Sequence, residues 1–226
     1  MTRNLSKPGR KTPCYHNAMY TPPHYKEERP EVLQALIHQH SFGLLISSGP
    51  HGVEATHVPF LLEVEGPGPG RLLAHLSRAN PQWRHLEEAG EVLAIFSGPH
   101  AYISASWYTE RTDVPTWNYV AVHASGRARV MEGDRLRSLL DRMSRRYEQT
   151  SAAPWSLEDV PEASLQAMTK GIVGIEIDIT RLQGTQKLSQ NRSAEDQQRV
   201  IHELKARGSQ DDLALAALME HPSRPR

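Results

Sequence analysis

Apolar residues recur along this chain with two periods, and the change from one to the other divides it into elements. Val32, Leu33, Leu36 and Ile37 form an i, i+1, i+4, i+5 stripe behind Pro30, which suits a first helical position, so a helix is predicted to start there. GLLIS (43–47) reads as a short apolar strand, Ser48-Gly49-Pro50-His51-Gly52 as a turn and VEATHVPFLLEVE (53–65) as a long return strand. Pro59 cannot join a central ladder, so that strand is expected at an edge, at a bulge or facing a ligand. GPGPG (66–70) is a further turn and RLLAHL (71–76) the next strand. Asn80 as cap, Pro81 in the first turn and Gly90 as stop predict a helix between them.

EVLAIFSG (91–98) and AYISASWY (101–108) read as two strands around Pro99-His100, and 117–132 alternates as a long strand with Gly126 as a bulge. Leu136, Leu139, Leu140, Met143 and Tyr147 mark an amphipathic helix over about 133–149, and a short helix is expected to end at Lys170. GIVGIEIDIT (171–180) is the last strand, KLSQNR (187–192) is polar and irregular, and two helices follow, divided at Gly208. About seven strands, mostly joined by short turns, predict an α+β domain around an antiparallel barrel. Too few crossover helices are available for a doubly wound parallel sheet, and no Gly-x-Gly-x-x-Gly follows a strand.

Composition narrows the classes further. The chain balances 26 basic against 26 acidic residues, so no global field draws it to nucleic acid or lipid. The single cysteine, Cys14, cannot form an internal disulfide, which favours a reducing compartment. No apolar run approaches a transmembrane span and the start lacks the apolar core of a signal peptide, so a soluble cytoplasmic protein is expected. Residues 1–18 carry Arg3, Lys7, Arg10 and Lys11 without apolar periodicity and read as a disordered extension. Twelve histidines, His57, His75 and His123 among them, show no metal-ligand spacing, and no metal is expected.

Three segments could carry chemistry. Ser77, Arg78 and Asn80 stand where a strand gives way to the predicted helix, a place suited to phosphate; a capped helix with a solvated arginine is the plainer alternative. SWYTERTDVPTWNY (106–119) places Trp107, Tyr108 and Trp117 around a polar loop, where they could wall a planar ligand or fill a barrel end or subunit interface. Lys187, Ser189, Gln190, Asn191 and Arg192 could grip a phosphate or the polar edge of a ring, or could simply precede a helix cap. The last two helices resemble a helix-turn-helix only loosely. The second opens with Asp211 and Asp212, where acids oppose a phosphate backbone, so direct DNA contact is doubtful.

MYTPPHY (19–25), THVPFLL (56–62), AHLSRANPQW (74–83), FSGPHAYISASWY (96–108), VPTWNYVAVHASG (114–126) and KGIVGIEI with KLSQNR together resemble the PaiB-like FMN-binding negative transcriptional regulators. Tyr25 stands where that family usually has Phe, and Ala105 where Pro is common. The resemblance implies a Greek-key-like split barrel, similar to pyridoxamine-phosphate oxidases, over 19–192, with peripheral helices and C-terminal helices over 193–226. It implies a homodimer with FMN at the subunit interface. It makes Ser77, Arg78 and Asn80 phosphate ligands and sets Thr56, His57 and Val58 beside the isoalloxazine. Lys187, Ser189, Gln190 and Asn191 then complete the site, His75 joins it, and Trp107, Tyr108 and Trp117 wall it. The expected function is regulation without a conventional DNA-binding motif. An FMN-dependent oxidoreductase using reduced nicotinamide and a dimeric scaffold are the alternatives.

Overall fold

The computed structural model describes residues 19–49, 52–110 and 112–221. The extension at 1–18, Cys14 with it, and the centre of the turn at Pro50 and His51 lie outside the described residues. Eight strands form one sheet: β1 (Lys26–Glu27), β2 (Phe42–Gly49), β3 (Gly52–Pro59), β4 (Leu61–Glu63), β5 (Arg71–Ser77), β6 (Val92–Ile103), β7 (Thr116–Met131) and β8 (Ile172–Lys187). Every pairing is antiparallel, in the order β3-β2-β6-β7-β8-β5-β4, with β1 beside β8. The two ends of that order, β3 and β4, are separated in the chain by Phe60 alone. The sheet therefore curls until its ends meet covalently, with no ladder across the join. The result is an antiparallel barrel with one seam.

Pro59 explains the seam. It ends β3 where a missing N–H costs no ladder bond, and Phe60 then turns inward, its N–H donating to the Ser41 carbonyl at 2.8 Å. The Phe60 ring meets Phe96 edge-on at 5.3 Å inside the barrel. Alternation sends Leu72, Ala74 and Leu76 of β5, Val120, Val122 and Ala124 of β7, and Val173, Ile175 and Ile177 of β8 into the same core. Helix α1 (Pro30–Gln39) adds Leu33, Leu36 and Ile37 to it. On the outer face, α2 (Gly133–Glu148) covers Leu61, Leu73 and Met131 with Leu139 and Met143. Helix α3 (Glu162–Thr169) leads into β8.

The C-terminal helices α4 (Ala194–Arg207) and α5 (Gln210–Glu220) bury Val200, Ile201, Leu204, Leu215, Ala216 and Met219 in the barrel's own core. Gly208, left-handed at φ 73°, closes α4 as expected. Gly126 also marks a bulge as expected: the β7–β8 register slips there, and an added Cβ would lie 2.3 Å from the Asp178 carbonyl oxygen.

Four boundaries differ from expectation. The return strand at 53–65 breaks at Phe60. The two strands at 91–108 are one, β6, with a register shift between Ser97 and His100. The helix expected from Asn80 to Gly90 is a single 3-10 turn, Pro81–His85, followed by turns. Gln82 and Trp83 bond away from that segment, and their fixed positions hold it in the tighter form. The last strand continues past Thr180 to Lys187, because β7 pairs with it along its polar half.

Candidate functional site

The strand-end corner is tied to its own protein. At the end of β5, Ser77 is exposed and its hydroxyl accepts from the Ala79 N–H at 3.3 Å. Arg78 turns towards the start of β8, where its Nε donates to the Lys170 carbonyl at 2.9 Å and an Nη to that of Ile172 at 3.1 Å. The same guanidinium pairs with the Glu132 carboxylate at 2.7 Å and lies 5.6 Å from the Trp83 ring. The hollow beside it, of about 330 Å³, is lined by three cations, Arg78, Arg137 and Lys170, and three carboxylates, Glu132, Asp134 and Glu162. Their charges cancel, so an added dianion would gain little there.

Asn80 caps the 3-10 turn through the Gln82 N–H at 2.9 Å, and its amide donates to the Thr56 hydroxyl at 2.9 Å. Thr56 in turn donates to the Gln82 side chain at 2.6 Å, and Gln82 reaches the Ser47 hydroxyl at 3.0 Å. This chain of bonds stitches β5 to β3 across the seam. Thr56 and Asn80 are thus brought together. His57 faces outward and stacks on exposed Phe42 at 6.1 Å, while the Val58 side chain is buried. β3 pairs with β2 alone, so half of its backbone groups point away from the ladder. His75 shares a strand face with Leu73. Its Nδ1 is buried with no partner, and burial holds its pKa below the ordinary histidine value.

The turn after β8 has the opposite character. Ser189 is the only non-glycine residue among those described with positive φ, at 62°. Asn118, wholly buried, donates to its hydroxyl at 2.9 Å and holds it there. Gln190 folds back on its own backbone: its side chain accepts from the Leu188 N–H at 2.7 Å and donates to the Gln186 carbonyl. The Arg192 N–H closes the turn on the Ser189 carbonyl at 3.0 Å. Lys187, Ser189, Asn191 and Arg192 consequently line one cavity of about 210 Å³ with Tyr25, Tyr108, Thr116 and Asn118.

Among the described residues no carboxylate lines that cavity. Lys187 donates to the Thr116 hydroxyl and lies 5.7 Å from the Tyr25 ring. Burial first, and the Arg192 charge second, hold its pKa below the usual lysine value. Arg192 lies 4.2 Å over the Tyr108 ring and pairs with Asp113 at 2.6 Å. The Tyr25 hydroxyl donates to the side-chain amide oxygen of Asn191 at 2.9 Å. Burial raises the pKa of both tyrosines, so each keeps its proton.

Of the three expected aromatic walls, Tyr108 alone lines the cavity. Trp107 carries the Arg207 guanidinium at 5.2 Å, and Trp117 is 54% exposed beside Tyr102 at 6.0 Å. Asp113, Thr116 and Asn118 stand within the candidate segment SWYTERTDVPTWNY, but the sequence does not single them out, nor Tyr25, since only the fold brings them to Lys187 and Arg192. Tyr25 does stand within the quoted MYTPPHY segment.

The family model described as "Putative FMN-binding domain" matches residues 19–181. The chain belongs to this family. Its cofactor is FMN. The chain is 37% identical over 202 residues to "Protease synthase and sporulation protein PAI 2" of Bacillus subtilis, covering 89% of this chain and 97% of that protein. An uncharacterised protein of Emericella nidulans is 30% identical over 223 residues, covering 81% of this chain and 89% of that one. Two solved structures share the fold at 14% identity. One is the FAD and heme binding protein of Mycobacterium smegmatis (TM-score 0.53; 82% of this chain, 80% of that one). The other is the flavocytochrome Anf3 of Azotobacter vinelandii (TM-score 0.51; 76% and 74%). The fold is the α+β split barrel of these flavin-binding structures. Among the described residues no helix is long and apolar enough to cross a membrane.

An FMN-family chain needs cations and neutral donors for a phosphate monoester, and the 187–192 cavity has that chemistry. It offers Lys187, Arg192, the Ser189 and Thr116 hydroxyls and the side-chain amides of Asn118 and Asn191. Its volume is below the ~300 Å³ of a small-ligand pocket, so it suits one end of FMN rather than the whole molecule. FMN, when bound, supplies the capacity to accept and return two electrons.

Proposed function

We propose that this chain is a homodimeric FMN-binding regulatory protein whose 187–192 cavity seats the phosphate end of the cofactor. The observation that carries the reading is a pair of cations, Lys187 and Arg192, facing a cavity with no carboxylate among its described lining residues. Thr56, His57 and Val58 then offer the free edge of β3 to the ring's polar rim, with Asn80 fixing Thr56 in place. Ser77 and Arg78 serve this arrangement from outside, by fixing the end of β5, with His75 on the same strand. Exposed Tyr102 and Trp117 on one face, and Phe42 stacked on His57 on another, are apolar surfaces that a second copy would cover.

The regulatory role rests on the PaiB-like resemblance and on the B. subtilis relative. It does not run through a groove-reading helix. Asp212 is committed to Arg207 and to the Ser209 cap, and α5 buries Leu215, Ala216 and Met219, which leaves no basic face to enter DNA. FMN titration of the full chain is the test. Lys187→Met and Arg192→Gln are expected to weaken FMN binding, and unchanged affinity in both would overturn the seat. A gel-shift at physiological salt is expected to show no specific operator complex.

One observation favours an oxidoreductase as the second reading. With the ring rather than the phosphate in the 187–192 cavity, Lys187 would itself be the proton donor beside a reduced, negatively charged ring. Bleaching of the flavin absorbance by NADH or NADPH would establish it.

A further inference from the structure

Among the described residues Asp113 is the carboxylate ion-paired with Arg192, and neither Arg192 nor Lys187 is ion-paired with another. It lies in the segment between the 3-10 turn Ala105–Trp107 and β7, immediately before Val114, Pro115 and Thr116, which form one wall of the cavity. Both partners are largely sheltered, with side chains 19% (Arg192) and 32% (Asp113) exposed. Arg192 is anchored twice more, by the Tyr108 ring beneath it and by its own N–H on the Ser189 carbonyl. The guanidinium therefore meets any incoming anion while already holding a carboxylate.

We propose that Asp113 is a specificity-determining residue: it admits a flavin bearing a phosphate monoester and discriminates against flavins whose phosphates carry a single charge each. This rests on the phosphate seat proposed above. A ligand must share or displace one unit of negative charge at Arg192. A monoester near pH 7 carries about −1.5 to −2 and gains from the exchange, drawing on Lys187 as well. The pyrophosphate of FAD, esterified at both ends, carries one charge on each phosphate, no more than Asp113 already supplies, and the displaced carboxylate repels the second phosphate. Selection by a repulsive element of this kind raises the difference in affinity while lowering both affinities.

Binding of FMN, FAD and riboflavin to the full-length protein, followed by flavin fluorescence or calorimetry, tests the inference. In Asp113→Asn, FAD binding is expected to tighten about tenfold and FMN binding about threefold, with riboflavin unchanged. Asp113→Ser gives the same ordering should the asparagine variant fold poorly, which thermal melting reports. A preference for FMN over FAD that stays the same or widens in both variants overturns the inference. If Arg192→Gln weakens FMN binding beside that result, the seat stands and Asp113 alone is misassigned. If Arg192→Gln and Lys187→Met both leave FMN affinity unchanged, the seat and this inference fall together.

Discussion

Two arginines, Arg78 and Arg192, stand near the ends of strands in segments rich in side-chain donors, yet their surroundings are opposite. Arg78 is surrounded by acceptors from its own chain: two carbonyls and the Glu132 carboxylate, in a hollow whose charges cancel. Arg192 faces a cavity with a second cation and, among the described residues, no lining carboxylate; Asp113 pairs with it from the adjoining loop and Asp196 lies within reach of its charge. The difference teaches that an arginine beside a cap is not in itself an anion site. What decides is whether the lining keeps cationic charge in excess: the hollow at Arg78 balances three cations with three carboxylates, whereas at Arg192 one carboxylate, Asp113, faces two cations.

Substitutions at the two arginines should separate most sharply. Arg192→Gln, and Lys187→Met with it, is expected to weaken FMN binding roughly 10- to 100-fold, because charge-assisted bonds to a dianion are lost. Equilibrium titration checks this. Arg78→Ala should invert the pattern. Loss of its bonds to Lys170, Ile172 and Glu132 is expected to cost about 1–3 kcal/mol of stability in denaturant unfolding, with FMN affinity changed by less than about threefold. A large loss of affinity in Arg78→Ala at full stability would return the phosphate to the corner at the end of β5.

A smaller effect is expected at Ser189. Glycine there removes the cost of a left-handed backbone, about 1 kcal/mol, and with it the hydroxyl that Asn118 holds. The unsatisfied Asn118 amide offsets that relief, so Ser189→Gly should change the melting temperature little while binding FMN several-fold more weakly.

The smallest effect concerns pH. Burial holds His75 and His123 below their ordinary pKa of 6.5, so the unfolded chain binds protons that the folded chain resists. Stability is therefore complete above that value and falls as pH drops through it. Urea midpoints between about pH 7.5 and 5.5 should show the decline, and His75→Gln should flatten it.

Much of the barrel was legible because β7 and the first half of β8 alternate, and β5 is a short apolar run bounded by a turn and a polar break. The second half of β8, RLQGTQK, was not, since its partners are polar and Gly184 gives way to Leu33 rather than pairing an apolar side chain. The 3-10 turn at Pro81 carried every local mark of an α-helix and lost that form to the distant bonds of Gln82. At the site, KLSQNR was legible as a concentration of donors. The role of Arg78 was not, because Glu132 and Lys170 come to it only through the β5–β8 pairing. Asp113 is hidden for the same reason.

Asn118 touches more than the turn it holds. Its amide nitrogen lies 2.9 Å from the Ser189 hydroxyl and 3.7 Å from the sulfur of Met219, near the end of α5. The end of α5 thus leans on the same buried amide that lines the 187–192 cavity. Displacing α5 from the barrel would therefore take away the Met219 sulfur on which that amide rests, and with it part of what fixes the turn at Ser189.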